Sequence, residues 1–220
     1  MCDMDDILPF NADGDLFTDS DSSERRGIYQ IIAERFNIKT ALYPGCGLDI
    51  ALSLFIPNVV YLDSSPESSA CFEKRNRILD YISAKKTYTA SCEIAFYASD
   101  YLNPPELPQF DLLVSQYAGN VGQEMKRFLK PGGVLLVAEG PADFDLALHD
   151  PDYELLGTIL TEHGRTKFLQ GMHKPIYVPI EMPDFEDDNT QVGMRTHFIP
   201  LTRNFCFRKK QTDCGNGSLL

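Results

Sequence analysis

Five short apolar segments, each followed by turn residues, constrain the fold of this chain most strongly. They span residues 40–43, 58–62, 94–98, 110–114 and 134–139. Short, largely apolar runs bounded by turn signals are typical of buried strands. Because segments with helical spacing alternate with them, the pattern predicts an α/β fold: a doubly wound, mostly parallel sheet with helices on both faces. A further apolar segment at 204–208 predicts a last strand, which we expect to be antiparallel.

Helical signals occur in four segments, and they are 26–36, 49–55, 65–83 and 121–129. The third segment has the clearest start. Its Ser65 side chain can cap free backbone N–H groups, Pro66 suits the first helical position, and Glu67 complements the helix dipole. The fourth is expected to end at the Lys-Pro-Gly-Gly run of residues 130–133, and residues 153–160 fit either a strand or a helix.

The length of 220 residues suits one domain with a full core and is short for two. Residues 1–22 lack periodicity and include seven aspartates, so we expect an acidic flexible arm. Residues 23–210 are expected to form a single domain with an insertion at about 165–200, and residues 211–220 a flexible tail. The arm is either a solvated segment or a recognition element for a basic partner.

The formal net charge of −12 argues against nucleic acid as a partner, because phosphate binding needs a positive surface. The six cysteines are scattered without a C-x-x-C pair, which favours reduced thiols in a cytosol and gives no zinc site. No apolar run approaches the ~20 residues that a membrane span needs, and no basic-then-apolar leader stands at the N-terminus. We therefore expect a cytoplasmic protein that does not act at a membrane.

The turn after the first predicted strand contains Gly45 and Gly47, separated by one residue. In open α/β sheets ligands bind outside the carboxyl ends of the strands, and glycines there let a ligand approach the main chain closely. A dinucleotide loop would need a third glycine where Ile50 stands. Asp49, at the start of the predicted helix, would also repel a pyrophosphate. The turn therefore favours a ligand with a zwitterionic tail and no phosphates over NAD.

Further motifs follow the glycine turn in a fixed order along residues 24–140. They are Asp63 after the second strand, Ser99-Asp100 after the third, FDLLV at 110–114 and FLKPGGVLLV at 128–137. With these motifs, this part of the chain resembles the class I S-adenosylmethionine-dependent methyltransferases. The most specific motif is the LKPGG turn into an apolar strand, placed after FDLLV. The resemblance implies a Rossmann-like methyltransferase fold with S-adenosyl-L-methionine as the cofactor.

Roles follow from the resemblance for the matched positions only. It implies that Gly45 and Gly47 pack under the methionine and ribose parts of the cofactor. It also implies that Asp63 accepts hydrogen bonds from the ribose hydroxyls, since a carboxylate can accept two such bonds at once. The remaining members of the implied cofactor set are Tyr43, Cys46, Ser64, Asp100, Tyr101, Ser115 and Gln116.

Two parts of that set have more specific implied roles. Asp100 would accept a hydrogen bond from the adenine amino group, and Tyr101 would flank the base. Ser115, Gln116 and Tyr117, just past the fourth strand, would line the side on which the methyl group is transferred.

The sequence departs from the family pattern at two places. Family members usually carry an acidic residue two places before the first glycine, where Tyr43 stands here. Asp49 is a candidate substitute from the other side of the turn. Members that methylate amino groups often carry an Asn/Asp-Pro-Pro-aromatic motif after strand four. The Asn-Pro-Pro-Glu run at 103–106 precedes that strand instead, so we interpret it as a turn.

Other residues whose side chains could act in catalysis or bind a metal also have structural interpretations. Cys46 is either a nucleophile near a helix N-terminus or merely a small residue between two glycines. Two groups of acids and histidines lack the spacing of a known metal site, and they are His149 with Asp150 and Asp152, and Glu162 with His163. The insertion contains His173, Tyr177, His197 and Phe198. Either a histidine among them acts as a general base, or these residues pack together in a surface hairpin.

The resemblance implies an enzyme that transfers a methyl group to an oxygen, nitrogen or sulfur atom of a small molecule or a protein. The family has no uniform catalytic triad, because a positively charged sulfonium is already a good leaving group, and we assign no catalytic residue. Tyr43 keeps a second hypothesis open, a methyltransferase-like binding or regulatory module. A nicotinamide-dependent oxidoreductase is a third hypothesis, disfavoured by Ile50.

Overall fold

The computed structural model describes residues 20–116, 118–140, 142–162, 164–185 and 191–211. Strands account for much of these ranges, and in chain order they are β1 (Thr40–Pro44), β2 (Asn58–Asp63), β3 (Glu93–Ala98), β4 (Phe110–Ser115), β5 (Leu129–Ala138), β6 (Tyr153–Glu162), β7 (Arg165–Gln170), β8 (Tyr177–Phe185), β9 (Gln191–Pro200) and β10 (Arg203–Lys209). Eight of them form one mixed sheet, and β8 pairs with β9 as a separate antiparallel hairpin.

The main sheet has the strand order β3-β2-β1-β4-β5-β10-β6-β7. Strands β1 to β5 pair with one another in parallel, whereas β10 runs antiparallel between β5 and β6. The predicted doubly wound, mostly parallel sheet with an antiparallel last strand is therefore confirmed. All five apolar segments are strands, and residues 153–160, which fitted either element, belong to strand β6.

The helices connect the strands, and they are α1 (Ser20–Phe36), α2 (Pro66–Glu73), α3 (Arg75–Lys85), α4 (Val121–Glu124) and α5 (Ala142–His149), with 3₁₀ turns at Ala51–Leu54 and Lys126–Phe128. Helix α2 starts as predicted, because the Ser65 Oγ accepts a hydrogen bond from the Ser68 N–H at 3.1 Å. The helix predicted over 65–83 is interrupted at Lys74, whose ψ of 36° is not helical.

Two other helix predictions are wrong. Residues 49–55 contain only the 3₁₀ turn, because all four of its residues are buried between α1 and α3 and no polar face remains for a longer amphipathic helix. Residues 121–129 divide into α4 and a second 3₁₀ turn, because Leu129 pairs with Phe110 in the sheet and begins β5. The Lys-Pro-Gly-Gly run does not end a helix. It forms a bulge inside β5, where the pairing next resumes at Leu112 and Val134.

Both faces of the sheet are covered by helices, as predicted. One core cluster joins α1, the Ala51–Leu54 turn, α2 and α3 to one face, and its largest buried side chains include Tyr29, Tyr43 and Tyr61. A second cluster joins α4 and α5 to the opposite face around Phe205 and Phe207. Because β1 and β4 are parallel neighbours, the connections that follow them leave from the same edge of the sheet, and they lead to helices on opposite faces.

The predicted arm and tail lie largely outside the residues that the structure describes. Of the arm, only residues 20–22 are described, and they already belong to α1. The insertion at 165–200 contains β7, which joins the main sheet, and the β8–β9 hairpin. In the part of the chain that is described, no helix combines the length and apolarity needed to cross a bilayer.

Candidate functional site

Strand order places the glycine turn at the point where the sheet changes direction. Strand β1 pairs with β2 on one side and β4 on the other, because the chain runs from β1 outward to β3 and then crosses back to place β4 beside β1. Such a switch point opens a crevice at the carboxyl ends of the strands. Gly45 and Gly47 follow β1, and Asp63 ends β2, so all three lie at this crevice.

Hydrogen bonds fasten the glycine turn to its neighbours. The Gly45 N–H donates to the Leu62 carbonyl at 2.7 Å, and the Gly47 N–H donates to Asp63 Oδ2 at 2.8 Å. The Gly47 carbonyl accepts from the Ser68 Oγ of α2 at 2.9 Å. The turn is thus held in one conformation against the tip of β2 and the first turn of α2.

The two glycines have left-handed backbones, with φ of 63° at Gly45 and 56° at Gly47, but different surroundings. A Cβ added at Gly45 would lie 2.3 Å from the Cβ of Ala118, in the loop after β4. A Cβ added at Gly47 would meet no atom within 4 Å. Gly45 is therefore required by packing between two loops, whereas Gly47 leaves its backbone open to a ligand.

Asp63 is half-buried and bonded on both carboxylate oxygens. Its Oδ2 accepts from Gly47, and its Oδ1 accepts from the Ser65 N–H at 2.8 Å. Burial alone would raise the pKa of Asp63, but the backbone N–H groups of Ser65 and Gly47 outweigh it and hold the pKa below its usual 3.8. A carboxylate has about four lone-pair sites, so these two backbone bonds leave acceptor capacity for a ligand.

Tyr43, the residue in place of the usual acid, is buried and points into a polar cluster beneath the turn. Asp49 is the centre of this cluster and accepts from Tyr29 Oη at 2.7 Å, Tyr43 Oη at 3.3 Å and Arg25 Nη1 at 3.2 Å. Burial, and next the negative charge of Asp49, raise the pKa of Tyr43 well above its usual value. The Ala51 N–H is a fourth donor to Asp49, at 2.9 Å. Asp49 therefore has its acceptor capacity filled inside the protein.

The start of the segment after the glycine turn differs from the sequence expectation. The sequence predicts a helix starting near Asp49, but the Ala51 N–H is bonded to Asp49 Oδ1 and only a 3₁₀ turn follows. Ile50 is fully buried in the core. The local features that favour a pyrophosphate, a third glycine and an open helix N-terminus, are therefore both missing from this described segment.

Past β3, Asp100 and Tyr101 extend the crevice on the far side of Asp63. Asp100 is exposed, and its Oδ1 accepts from the Leu102 N–H at 2.9 Å, which fixes a local turn. Tyr101 is half-buried, and its Oη would lie 2.5 Å from a Cβ added at Gly119. Ser64 is exposed beside the tip of β2. The Tyr101 ring therefore connects the loop after β3 to the loop after β4.

Ser115 and Gln116, at the end of β4, are engaged inside the protein. The Ser115 Oγ donates to Asp143 Oδ2 at 2.5 Å, and the Gly122 N–H donates to the same oxygen at 2.7 Å. The Gln116 Nε2 donates to Asn204 Oδ1 at 2.9 Å. The structure thus brings Ser115 and Gln116 to the sheet edge but gives both side chains buried partners.

Asp143 is a polar residue at this edge of the sheet that the sequence does not predict. It is fully buried at the start of α5, and its Oδ1 has no partner among the described residues. Burial raises the pKa of Asp143, and the hydrogen bonds from Ser115 and Gly122 only partly oppose this. An aspartate in the first turn of a short helix looks like an ordinary helix-dipole partner, so no sequence signal marked it.

Burial or ion pairing within the protein engages Cys46, Asp150 and Asp152. Burial, followed by the charge of Asp63, raises the pKa of the Cys46 thiol far above its usual 9.0, which opposes a nucleophilic thiolate. Asp150 and Asp152 both bind Lys126 Nζ, at 2.7 and 2.5 Å. In the described ranges, no three His, Cys, Asp or Glu side chains come together as a metal site.

The candidates in the insertion are only partly described. The His173 Nε2 lies 3.0 Å from the Gln170 carbonyl, and Tyr177 is 58% exposed at the start of β8. Tyr117, His163 and the side chains of His197 and Phe198 lie outside what the structure describes.

Comparisons with known proteins identify the fold. No known family model and no curated protein sequence matches the chain. Among solved structures, the N-methyltransferase NodS from Bradyrhizobium japonicum WM9 covers 89% of this chain and 100% of its own, with 13% identity and a TM-score of 0.50. Residues 961–1257 of StiE O-MT cover 86% of this chain and 73% of theirs, with 11% identity and a TM-score of 0.51. The chain therefore has the Rossmann-like fold of these methyltransferases.

Proposed function

We propose that this chain, which has a Rossmann-like methyltransferase fold, is an S-adenosyl-L-methionine-dependent methyltransferase. The acceptor is a nucleophilic oxygen, nitrogen or sulfur atom of a small molecule or a protein. The observation that carries the proposal is the 2.8 Å hydrogen bond from the Gly47 N–H to Asp63 Oδ2. It joins the glycine turn and the carboxylate at adjacent strand tips, facing one crevice at the switch point.

The residues at this crevice fit the proposed cofactor. Gly47 offers a surface where a Cβ would meet only open space, which suits close packing of a ribose or methionine portion. Asp63 is held ionised by its lowered pKa and retains acceptor capacity for two ribose hydroxyls. Asp100 and Tyr101 follow the tip of β3, where Asp100 would accept a hydrogen bond from an adenine amino group and Tyr101 would flank the base.

In this proposal the bound cofactor supplies an activated methyl group on a sulfonium sulfur. The protein holds the cofactor in position. Asp63 and the glycine turn fix the ribose end, and the bonds from Ser65 and Ser68 keep both rigid. The main contribution of the protein to the rate of methyl transfer is then the alignment of the acceptor atom with the methyl group, because holding two reacting groups in the right geometry gives a large effective molarity. No strong base is required, since a neutral sulfide leaves.

The nicotinamide alternative is weaker than the sequence alone suggested. Ile50 is buried where a third glycine would stand, and the N–H of Ala51 is already bonded to Asp49. A pyrophosphate would find neither the close backbone approach nor the helix N-terminus that usually bind it.

A methyltransferase-like binding module is the second candidate, and one specific observation favours it. Ser115 and Gln116 border the side proposed for methyl transfer. Their side chains donate hydrogen bonds to Asp143 and Asn204 inside the protein and not toward a substrate. A module would bind the cofactor at Asp63 without turning it over.

Isothermal titration with S-adenosylmethionine, S-adenosylhomocysteine and NAD tests the cofactor assignment. We expect micromolar binding of both sulfur ligands and at least about a tenfold loss in Asp63→Ala, because charge-assisted hydrogen bonds of about 1.5–3 kcal/mol are removed. Asp63→Asn should lose less, since it keeps one acceptor oxygen. The matched control is Asp80→Ala, an exposed aspartate on α3. Saturable NAD binding with no heat from the sulfur ligands would contradict the assignment.

Transfer of a radiolabelled methyl group separates the enzyme from the module. The full chain is incubated with labelled cofactor and with protein, lipid and small-molecule fractions of a cell extract. Label in one fraction that disappears in Asp63→Ala but persists in Asp80→Ala supports an enzyme. Binding without label in any fraction supports the module.

A further inference from the structure

A second cavity lies at the opposite edge of the sheet from the glycine turn. It has a volume of about 530 Å³, within the range of small-molecule sites. Its walls are the end of α1 and its connection to β1, the start of β4, the bulge of the Lys-Pro-Gly-Gly run in β5, and the end of β10. Because β1 has five residues at about 3.3 Å each, its length separates this edge from the glycine turn by roughly 16–17 Å.

Basic side chains dominate this cavity, although the whole chain carries a net charge of −12. Four of its lining residues are cationic, and they are Arg35, Lys39, Lys130 and Arg208. They come from α1, the α1–β1 connection, the bulge and β10, so the fold gathers them from distant parts of the sequence. The positive potential of this cluster raises the local concentration of anions at the cavity, although the protein as a whole has more acidic than basic residues.

Among the described residues that line the cavity, Asp111 is the one carboxylate, and hydrogen bonds within the protein occupy it. Its Oδ1 accepts from Lys130 Nζ at 2.7 Å. Its Oδ2 accepts from the N–H groups of Lys39 and Thr40 at 3.0 and 2.9 Å, and from the Thr40 hydroxyl at 3.0 Å. Asp111 thus neutralises Lys130 and fixes the cavity wall, which leaves the other three cations in excess.

The remaining cations are not paired with acids in the described part of the chain. The Arg35 guanidinium lies 4.1 Å from the centroid of the Phe168 ring, a contact that orients it without neutralising it. Lys39 and Arg208 are exposed, and neither takes part in a described ion pair. Two guanidinium groups can bind phosphate oxygens in pairs, which an ammonium group cannot do.

We propose that this cavity is a second ligand site, for a small phosphate-bearing molecule with at least two negative charges. Arg35 and Arg208 bind the phosphate oxygens and Lys39 adds charge, while Phe36, Pro131 and Val134 supply an apolar wall for the organic part of the ligand. This inference is independent of the cofactor proposal, because the two sites share no residue.

Isothermal titration of the full chain with inorganic pyrophosphate at low ionic strength tests the site. Binding should weaken at least about tenfold in the double variant Arg35→Gln/Arg208→Gln, because each charge-assisted hydrogen bond lost costs roughly a factor of ten. It should also weaken as salt is added. The control is Lys167→Gln/Lys174→Gln, which removes the same charge from exposed lysines outside the cavity and should bind as the unaltered chain does.

Three further measurements make the outcome decisive. Asp63→Ala should retain pyrophosphate binding, which separates this site from the cofactor crevice. Lys39→Gln, an exposed substitution, should weaken binding without changing the unfolding midpoint in urea, so that loss of fold cannot explain the effect. Citrate should bind more weakly than pyrophosphate. Absence of pyrophosphate binding, equal loss in the lysine control, or equally tight citrate binding would each overturn the proposal.

Discussion

Adding a single methyl group to Gly45 should destabilise this protein more than adding the same group to Gly47. Both backbones are left-handed, with φ of 63° and 56°, so each alanine carries a strain of about 1–2 kcal/mol. At Gly45 the new Cβ also lies 2.3 Å from the Ala118 Cβ, and such overpacking costs about 1–3 kcal/mol. We therefore expect a loss of about 2–5 kcal/mol for Gly45→Ala and about 1–2 kcal/mol for Gly47→Ala.

Ala118→Gly provides the matched control. In the Gly45→Ala background it removes the overlapping atom and should recover about 1–3 kcal/mol, leaving the strain. By itself it should cost less than about 1 kcal/mol, through added freedom of the unfolded chain. The same Ala118→Gly change should not rescue Gly47→Ala, because no atom lies within 4 Å of that Cβ position.

Urea unfolding followed by far-ultraviolet circular dichroism measures the five variants, with linear extrapolation to zero denaturant. The double-mutant cycle isolates the contact between the two loops. Titration with S-adenosylhomocysteine supplies the second readout, in which Gly47→Ala should bind much more weakly despite its small loss of stability. Equal destabilisation by the two alanines, together with no coupling to Ala118→Gly, would refute the geometry described for the turn.

Three further experiments test other parts of the site. Folding raises the pKa of Asp143 above its usual 3.8, so the free energy of unfolding should fall as pH rises through that range. Asp143→Asn should remove this pH dependence. At pH 7 it should raise the free energy of unfolding by about 1–3 kcal/mol in a denaturant titration. Asp49→Ala should lower the free energy of unfolding by about 3 kcal/mol or more, since four donors lose their acceptor. Asp80→Ala, at an exposed position, should change it by less than about 0.5 kcal/mol. Iodoacetamide at pH 8 should label half-buried Cys92 before Cys46 in peptide mass spectrometry, and early labelling of Cys46 would contradict its burial.

The sheet could be predicted from the sequence because its signals are local. Each of the five parallel strands is a short apolar run ended by turn residues, and the glycine turn and Asp63 follow consecutive strands. Parallel strands place their carboxyl ends at one edge, so the proximity of Gly47 and Asp63 follows from topology alone.

The polar interior of the site could not be predicted in the same way. Asp49 binds side chains 20 and 24 positions away on α1, and Asp143 binds Ser115, 28 positions away on β4. Burial of these carboxylates depends on tertiary packing, which the spacing of residues does not encode. The helix predicted at 49–55 failed for the same reason, since both α1 and α3 pack against the 3₁₀ turn that forms there.

The crystal structure of the full chain with S-adenosylhomocysteine tests the central claim most directly. We expect the ribose hydroxyls within hydrogen-bond distance of the Asp63 carboxylate, the ribose or methionine portion against the Gly47 backbone, and the adenine beside Asp100 and Tyr101. A ligand seated elsewhere on the protein, or one that leaves Asp63 bonded only to Gly47 and Ser65, would contradict the account.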